Sequence, residues 1–145
     1  MKKLVFILLS ISLLACDKKK NTLKPDLGTI LPCFEQNNWN IQKLNSYLSG
    51  SWQMNRAFGG WVGEMNVENV KLRFINNDSL IIYKNGTALL SCKYHIDSTG
   101  NNLYAVVAGS SSQYTSGRIM YCSNELVFNS SYVDGNDYYY AKVSN

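Results

Sequence analysis

At 145 residues the chain has room for one domain. Its formal charge of +4 is unevenly placed: residues 1–32 hold six lysines and two aspartates, and residues 33–145 balance eight basic against eight acidic side chains. The folded part thus carries no basic stripe, which excludes nucleic acid as its partner.

The chain opens on Met1-Lys2-Lys3, and residues 4–14 are apolar apart from Ser10 and Ser12. A basic start, a short apolar run and a small residue at the cut predict a secretory signal over 1–15. The run falls short of the roughly 20 residues that span a bilayer. Leu13-Leu14-Ala15-Cys16 resembles the lipobox of bacterial lipoproteins. That resemblance implies cleavage before Cys16 and lipidation of its thiol. It places the protein at the outer membrane or cell envelope, with membrane lipid as a partner through Cys16. One acyl chain holds a protein only weakly, and lipoproteins of this type carry several.

Residues 16–32 read as a flexible tether. They hold Lys18, Lys19, Lys20 and Lys24, with Pro25, Gly28 and Pro32, and no apolar period. The domain is expected from residue 33 to 145, where no proline occurs. A proline-free stretch suits a closed sheet, in which every backbone N–H is wanted. Phe34, Ile41, Leu44 and Leu48 fall near one helical stripe, with Trp39 and Tyr47 beside it. A single short helix over 34–48 is the expectation.

After Gly50 the pattern is β throughout. Turn signals separate apolar runs at 51–58, 61–66, 69–75, 79–84, 87–96, 102–108, 117–122, 125–129 and 137–143. Asn85-Gly86 joins two such runs by residues that tolerate positive φ, as a type I′ hairpin requires. Alternation puts Val70, Leu72 and Phe74 on one face and Lys71 and Arg73 on the other. It likewise groups Trp52, Met54, Arg56 and Phe58; Ala88, Leu90, Cys92, Tyr94 and Ile96; and Leu126 and Phe128. The strands at 79–84 and 102–108 are apolar on both faces, so their register is not legible. The expected fold is all-β, an antiparallel up-and-down barrel of about eight strands after a short helix.

The order of residues is also similar to that of a family. Leu48-Ser49-Gly50-Ser51-Trp52, Gly59-Gly60-Trp61-Val62-Gly63, Leu72-Arg73-Phe74, Tyr94-His95-Ile96 and Asp134-Gly135 before an aromatic strand resemble the small lipocalin-like lipoproteins of Bacteroidota-type bacteria. The resemblance covers about residues 46–145 and implies a lipocalin-like barrel, without a settled activity. In lipocalins the Gly-x-Trp pair closes one barrel end, and a basic residue from the last strand packs on the Trp. The resemblance gives Gly50 and Trp52 that barrel-closing part and makes Lys142 the candidate base.

Motifs for catalysis are absent. His95 is the one histidine and sits on a predicted wet face, and no nucleophile elbow, phosphate loop or zinc pattern occurs. Gly59-Gly60-x-x-Gly63 lies between strands and reads as a tight corner. The expectation is a non-enzyme without cofactor or metal. Cys33, Cys92 and Cys122 remain after lipidation, and an oxidising envelope favours one disulfide among three open pairings.

An eight-stranded barrel holds packed side chains or one small ligand. Met54, Arg56, Phe58, Phe74 and Tyr94 are the candidate ligand-facing residues, with Arg56 expected at the rim. Two functions stay open. One is an anchored interaction module using its outer face against an envelope protein or a glycan. The other is a binder of a small apolar or amphipathic ligand inside the barrel. The count of large inward side chains favours a filled interior and the first.

Overall fold

The computed structural model describes residues 26–109 and 112–144. The signal expected over 1–15, the expected lipidation site Cys16 and the expected tether up to Pro25 lie outside the described residues.

Two helices precede the sheet. Helix α1 (Leu27–Gln36) is capped by Asp26, whose side chain accepts from the Thr29 N–H at 2.9 Å and the Thr29 hydroxyl at 2.8 Å. The expected tether over 16–32 therefore needs correction at its end. Ile30 is fully buried and Phe34 nearly so, and that apolar pair holds residues 27–32 in the helix despite Pro32. Helix α2 (Ile41–Leu48) is capped by Asn40, which accepts from the Lys43 N–H at 2.8 Å, and buries Leu44 and Leu48. The single helix expected over 34–48 is thus two. The break falls in an asparagine-rich stretch where Asn38 takes a left-handed φ of 46°.

Nine strands follow: β1 (Gly50–Gly59), β2 (Gly63–Glu64), β3 (Val70–Ile75), β4 (Ser79–Lys84), β5 (Thr87–Thr99), β6 (Asn102–Val107), β7 (Arg118–Cys122), β8 (Glu125–Asn129) and β9 (Asn136–Val143). They pair antiparallel in the order β2-β1-β3-β4-β5-β6-β7-β8-β9, and β1 also pairs with β9. Eight strands therefore close a barrel, and β2 is a two-residue tab on β1. The strand expected over 61–66 shrinks to this tab because Gly60-Trp61-Val62 makes the turn itself. Asn85 and Gly86 both take positive φ, at 53° and 81°, as the hairpin between β4 and β5 requires.

Register sorts the two faces. Trp52 pairs with Leu72, Leu72 with Ile82, and Ile82 with Leu90 across the inner face. Leu126 opposite Tyr140 and Phe128 opposite Tyr138 continue it around the closure. One prediction about β1 is wrong. The pairing of β1 with β9 shifts between Met54 and Arg56, which leaves Asn55 as an extra residue. Beyond this bulge the faces exchange, since side chains alternate with period two. Arg56 pairs with Tyr139 and Phe58 with Asp137, so both lie on the outer face, and Ala57 takes the inner place opposite Tyr138.

The outer wall at β7, β8 and β9 is not wet. Met120, Val127, Asn129, Asp137 and Tyr139 are all buried. Helix α1 packs against β7, and Cys33 of α1 is bonded to Cys122 of β7 with Cα atoms 6.1 Å apart. Of the three pairings open in the sequence, this is the one formed, and Cys92 stays a half-buried thiol. Cys122 faces outward, beside Glu125 in register.

Candidate functional site

Two barrel ends, one interior and one outer wall offer places for function. The end where β1 begins is closed by α2. Gly50 has a φ of 114°, and a Cβ there would sit 3.4 Å from the Lys142 Cε, so glycine leaves room for that side chain. Trp52 is fully buried and its indole N–H donates to the Leu48 carbonyl at 2.7 Å. Lys142 lies over the Trp52 ring at 5.2 Å and donates to the Tyr47 carbonyl at 3.0 Å. The residues expected to close this end therefore do meet there. Tyr121, Trp39 and Tyr47 complete the seal by edge contacts, with Tyr121 5.9 Å from Trp52 and 5.3 Å from Trp39.

The opposite end is latched by a residue that sequence reasoning missed. Tyr114 sits in a 3-10 turn (Gln113–Thr115) and is buried against Tyr138, ring centroids 5.6 Å apart. Its hydroxyl donates to the Glu68 carboxylate at 2.5 Å, and its carbonyl accepts from the Tyr140 hydroxyl at 2.9 Å. Lys84 binds the same carboxylate at 2.7 Å. Hydrogen bonds from Lys84 and Tyr114 hold the Glu68 carboxyl below its ordinary pKa. Tyr114 lies between turn signals in the sequence, and no alternation points to it.

Between the ends the interior is packed. Met54, Phe74 and Tyr94 are buried as expected, with Phe74 and Tyr94 edge to face at 5.1 Å. Burial pushes the Tyr94 phenol up to about 12, and its hydroxyl has no hydrogen-bond partner among the described residues.

Arg56 and Phe58, turned outward by the bulge, build the wall instead. The Arg56 guanidinium lies 4.1 Å over the Tyr139 ring and 3.5 Å from the Glu125 carboxylate, both ionic side chains being nearly buried. Asn55, the extra residue, donates to Glu125 at 2.9 Å. Burial raises the Tyr139 phenol to about 12. Above this pair, Asp137 accepts from Asn129 Nδ2, the backbone N–H groups of Ser130 and Ser131, and the Ser131 hydroxyl, at 2.8–2.9 Å. These are structural clamps for a buried wall. His95 is exposed, as expected.

Two adjoining spaces open beside α1, and the second reaches inward to Leu103 and Ile119. A groove of about 420 Å³ opens between the α1–α2 corner and the turn joining β5 to β6. Phe34, Trp39, Glu35, Gln42, Ser98 and Asn101 line it. A second space of about 370 Å³ adjoins it along the seam between β6 and β7, sharing Phe34, Glu35 and Leu103. That seam is weak because β6 and β7 pair only at Tyr104 and Arg118. The groove combines aromatic faces with side-chain amides, a surface suited to hydroxyl and amide groups. Among the described residues no cluster of three or more His, Cys, Asp or Glu could hold a metal, and no helix is long and apolar enough to cross a membrane.

No family model, curated protein or solved structure matches the chain.

Proposed function

We infer that this is a lipid-anchored envelope protein whose barrel is a non-catalytic interaction module working through its outer surface. The packed interior, sealed by Trp52 and α2 at one end and Tyr114 at the other, carries this reading. An apolar ligand site keeps an open pocket of roughly 300 Å³ or more. Of the spaces described above, the groove of about 420 Å³ opens on the outside and is lined by aromatic and amide groups, and the other enters only at the β6–β7 seam. The groove is the surface we assign to a protein or glycan partner. The anchor rests on the order of charge, apolar run and Cys16 in the sequence. The lipocalin-like resemblance supports the barrel-closing part of Gly50, Trp52 and Lys142.

Two measurements test the reading. Cys16→Ser in the whole chain is expected to abolish fatty-acid labelling; label retained by the serine variant overturns the anchor. Titration of the mature protein with a hydrophobic probe is expected to give no saturable one-to-one site. A second reading, a small ligand inside the barrel, is favoured by the unpartnered Tyr94 hydroxyl alone. One-to-one micromolar probe binding that survives removal of exposed apolar side chains establishes that reading instead.

A further inference from the structure

Half of the exposed large apolar side chains among the described residues are gathered at one place. Trp61 is 87% exposed and Val62 80%, both in the turn between β1 and β2. Val133 is 64% and Tyr132 50% exposed, both in the 3-10 turn Ser131–Val133 that joins β8 to β9. The two turns are fastened together. The Trp61 indole N–H donates to the Asp134 carboxylate at 3.1 Å, and the Gly60 N–H donates to the Gly135 carbonyl at 3.3 Å. The loops are therefore bonded into one tip that presents apolar groups to solvent. Single exposed apolar residues need no explanation, but Trp61, Val62 and Val133 fixed together at a loop tip do, with Tyr132 beside them under the Arg118 guanidinium at 4.5 Å.

We propose that this tip rests in the interface of the bilayer that carries the protein's own lipid anchor. The inference rests on the anchoring read from Cys16. Its geometric support is where the described chain begins. Helix α1, capped by Asp26, packs along β7 with its Cys33 bonded to Cys122 at the groove end, and its start lies toward Arg56 and Tyr139 on the β1–β9 wall. The tip crowns the same wall. Arg56 lies three residues before β1 ends at Gly59, about 10 Å at the rise of a strand, and the turn that carries Trp61 follows at once. Ten residues separate Cys16 from Asp26, and ten residues of any conformation span at most about 36 Å. One membrane plane can thus take both the acyl groups and the tip. The side chains suit it, because Trp and Tyr settle at headgroup depth with the ring among the chains and the polar edge in water. Here the indole N–H is already satisfied by Asp134, which leaves the ring to enter. The groove at the α1–α2 corner lies at the other barrel end and stays clear of the lipid.

The test uses acylated protein in phosphatidylcholine vesicles with brominated acyl chains, which quench nearby tryptophan. Flotation reads the anchor independently of the tip. Lipid-dependent quenching is expected in the parent and in Trp39→Phe, and most of it is expected to disappear in Trp61→Phe. Vesicle-bound protein whose quenching is the same in Trp61→Phe as in the parent overturns the proposal and leaves the anchor standing. Protein that fails to float overturns the anchor, and the proposal with it. Trp61 that stays open to a water-soluble quencher on vesicles, yet is shielded in native membranes, also overturns it in favour of a protein or glycan partner.

Discussion

Asn55 decides more than any other single position. By inserting one residue into β1 it sends Arg56 and Phe58 to the outer wall and creates the pair of Arg56 with Glu125. Removing one partner of a buried pair strands the other charge, so Glu125→Ala is expected to cost about 3–5 kcal/mol. The double variant Arg56→Met with Glu125→Leu is expected to cost clearly less, because no charge is left behind. A double-mutant cycle by chemical denaturation checks both. Trp52→Ala is expected to cost about 3–5 kcal/mol, since it empties the closed end of the barrel. The buried phenols give a pH dependence of definite sign. An unfolded tyrosine ionises at its ordinary value of 10.0, whereas Tyr94 and Tyr139 hold their protons up to about 12. The folded state then binds protons the unfolded state has lost, so this contribution is fully present below pH 10 and disappears as pH rises towards 12. Denaturation midpoints are expected to be flat near neutrality and to fall over that alkaline window.

At the level of elements, alternation and turn chemistry made most of the sheet legible. Strands β4 and β8 begin and end where their apolar runs do, and Asn85-Gly86 forms its turn. What stayed hidden has physical causes. A bulge leaves no mark in an alternating pattern, so the faces of β1 beyond Met54 were misassigned. The first residues of helix α1 read as tether because Pro32 and Gly28 argue locally against a helix, while burial of Ile30 and Phe34 by the barrel wall decides for it. The groove joins residues near 34–42 to residues near 98–103, and only the closed sheet brings them together. The disulfide is another long-range fact, with Cys33 and Cys122 separated by 89 positions. Closing so long a loop restricts the unfolded chain, so Cys33→Ser is expected to lower stability by about 3–5 kcal/mol. Thiol counting of the unfolded, unreduced protein, with Cys16 acylated, is expected to find one reactive group, Cys92.

The whole molecule has two unlike ends. One carries the bonded apolar tip above the wall where the chain enters, and the other carries the aromatic and amide groove. On the proposed reading, a barrel arranged this way would keep its lipid contacts and its partner surface apart, with no need of a hollow interior. The anchor, the filled barrel and the absence of cargo meet in one measurement, the native mass of the protein taken from its own membranes. The account predicts the mass of the chain from Cys16 onward plus its acyl groups and nothing more. A further apolar molecule retained one to one, and released only when the barrel unfolds, would contradict it.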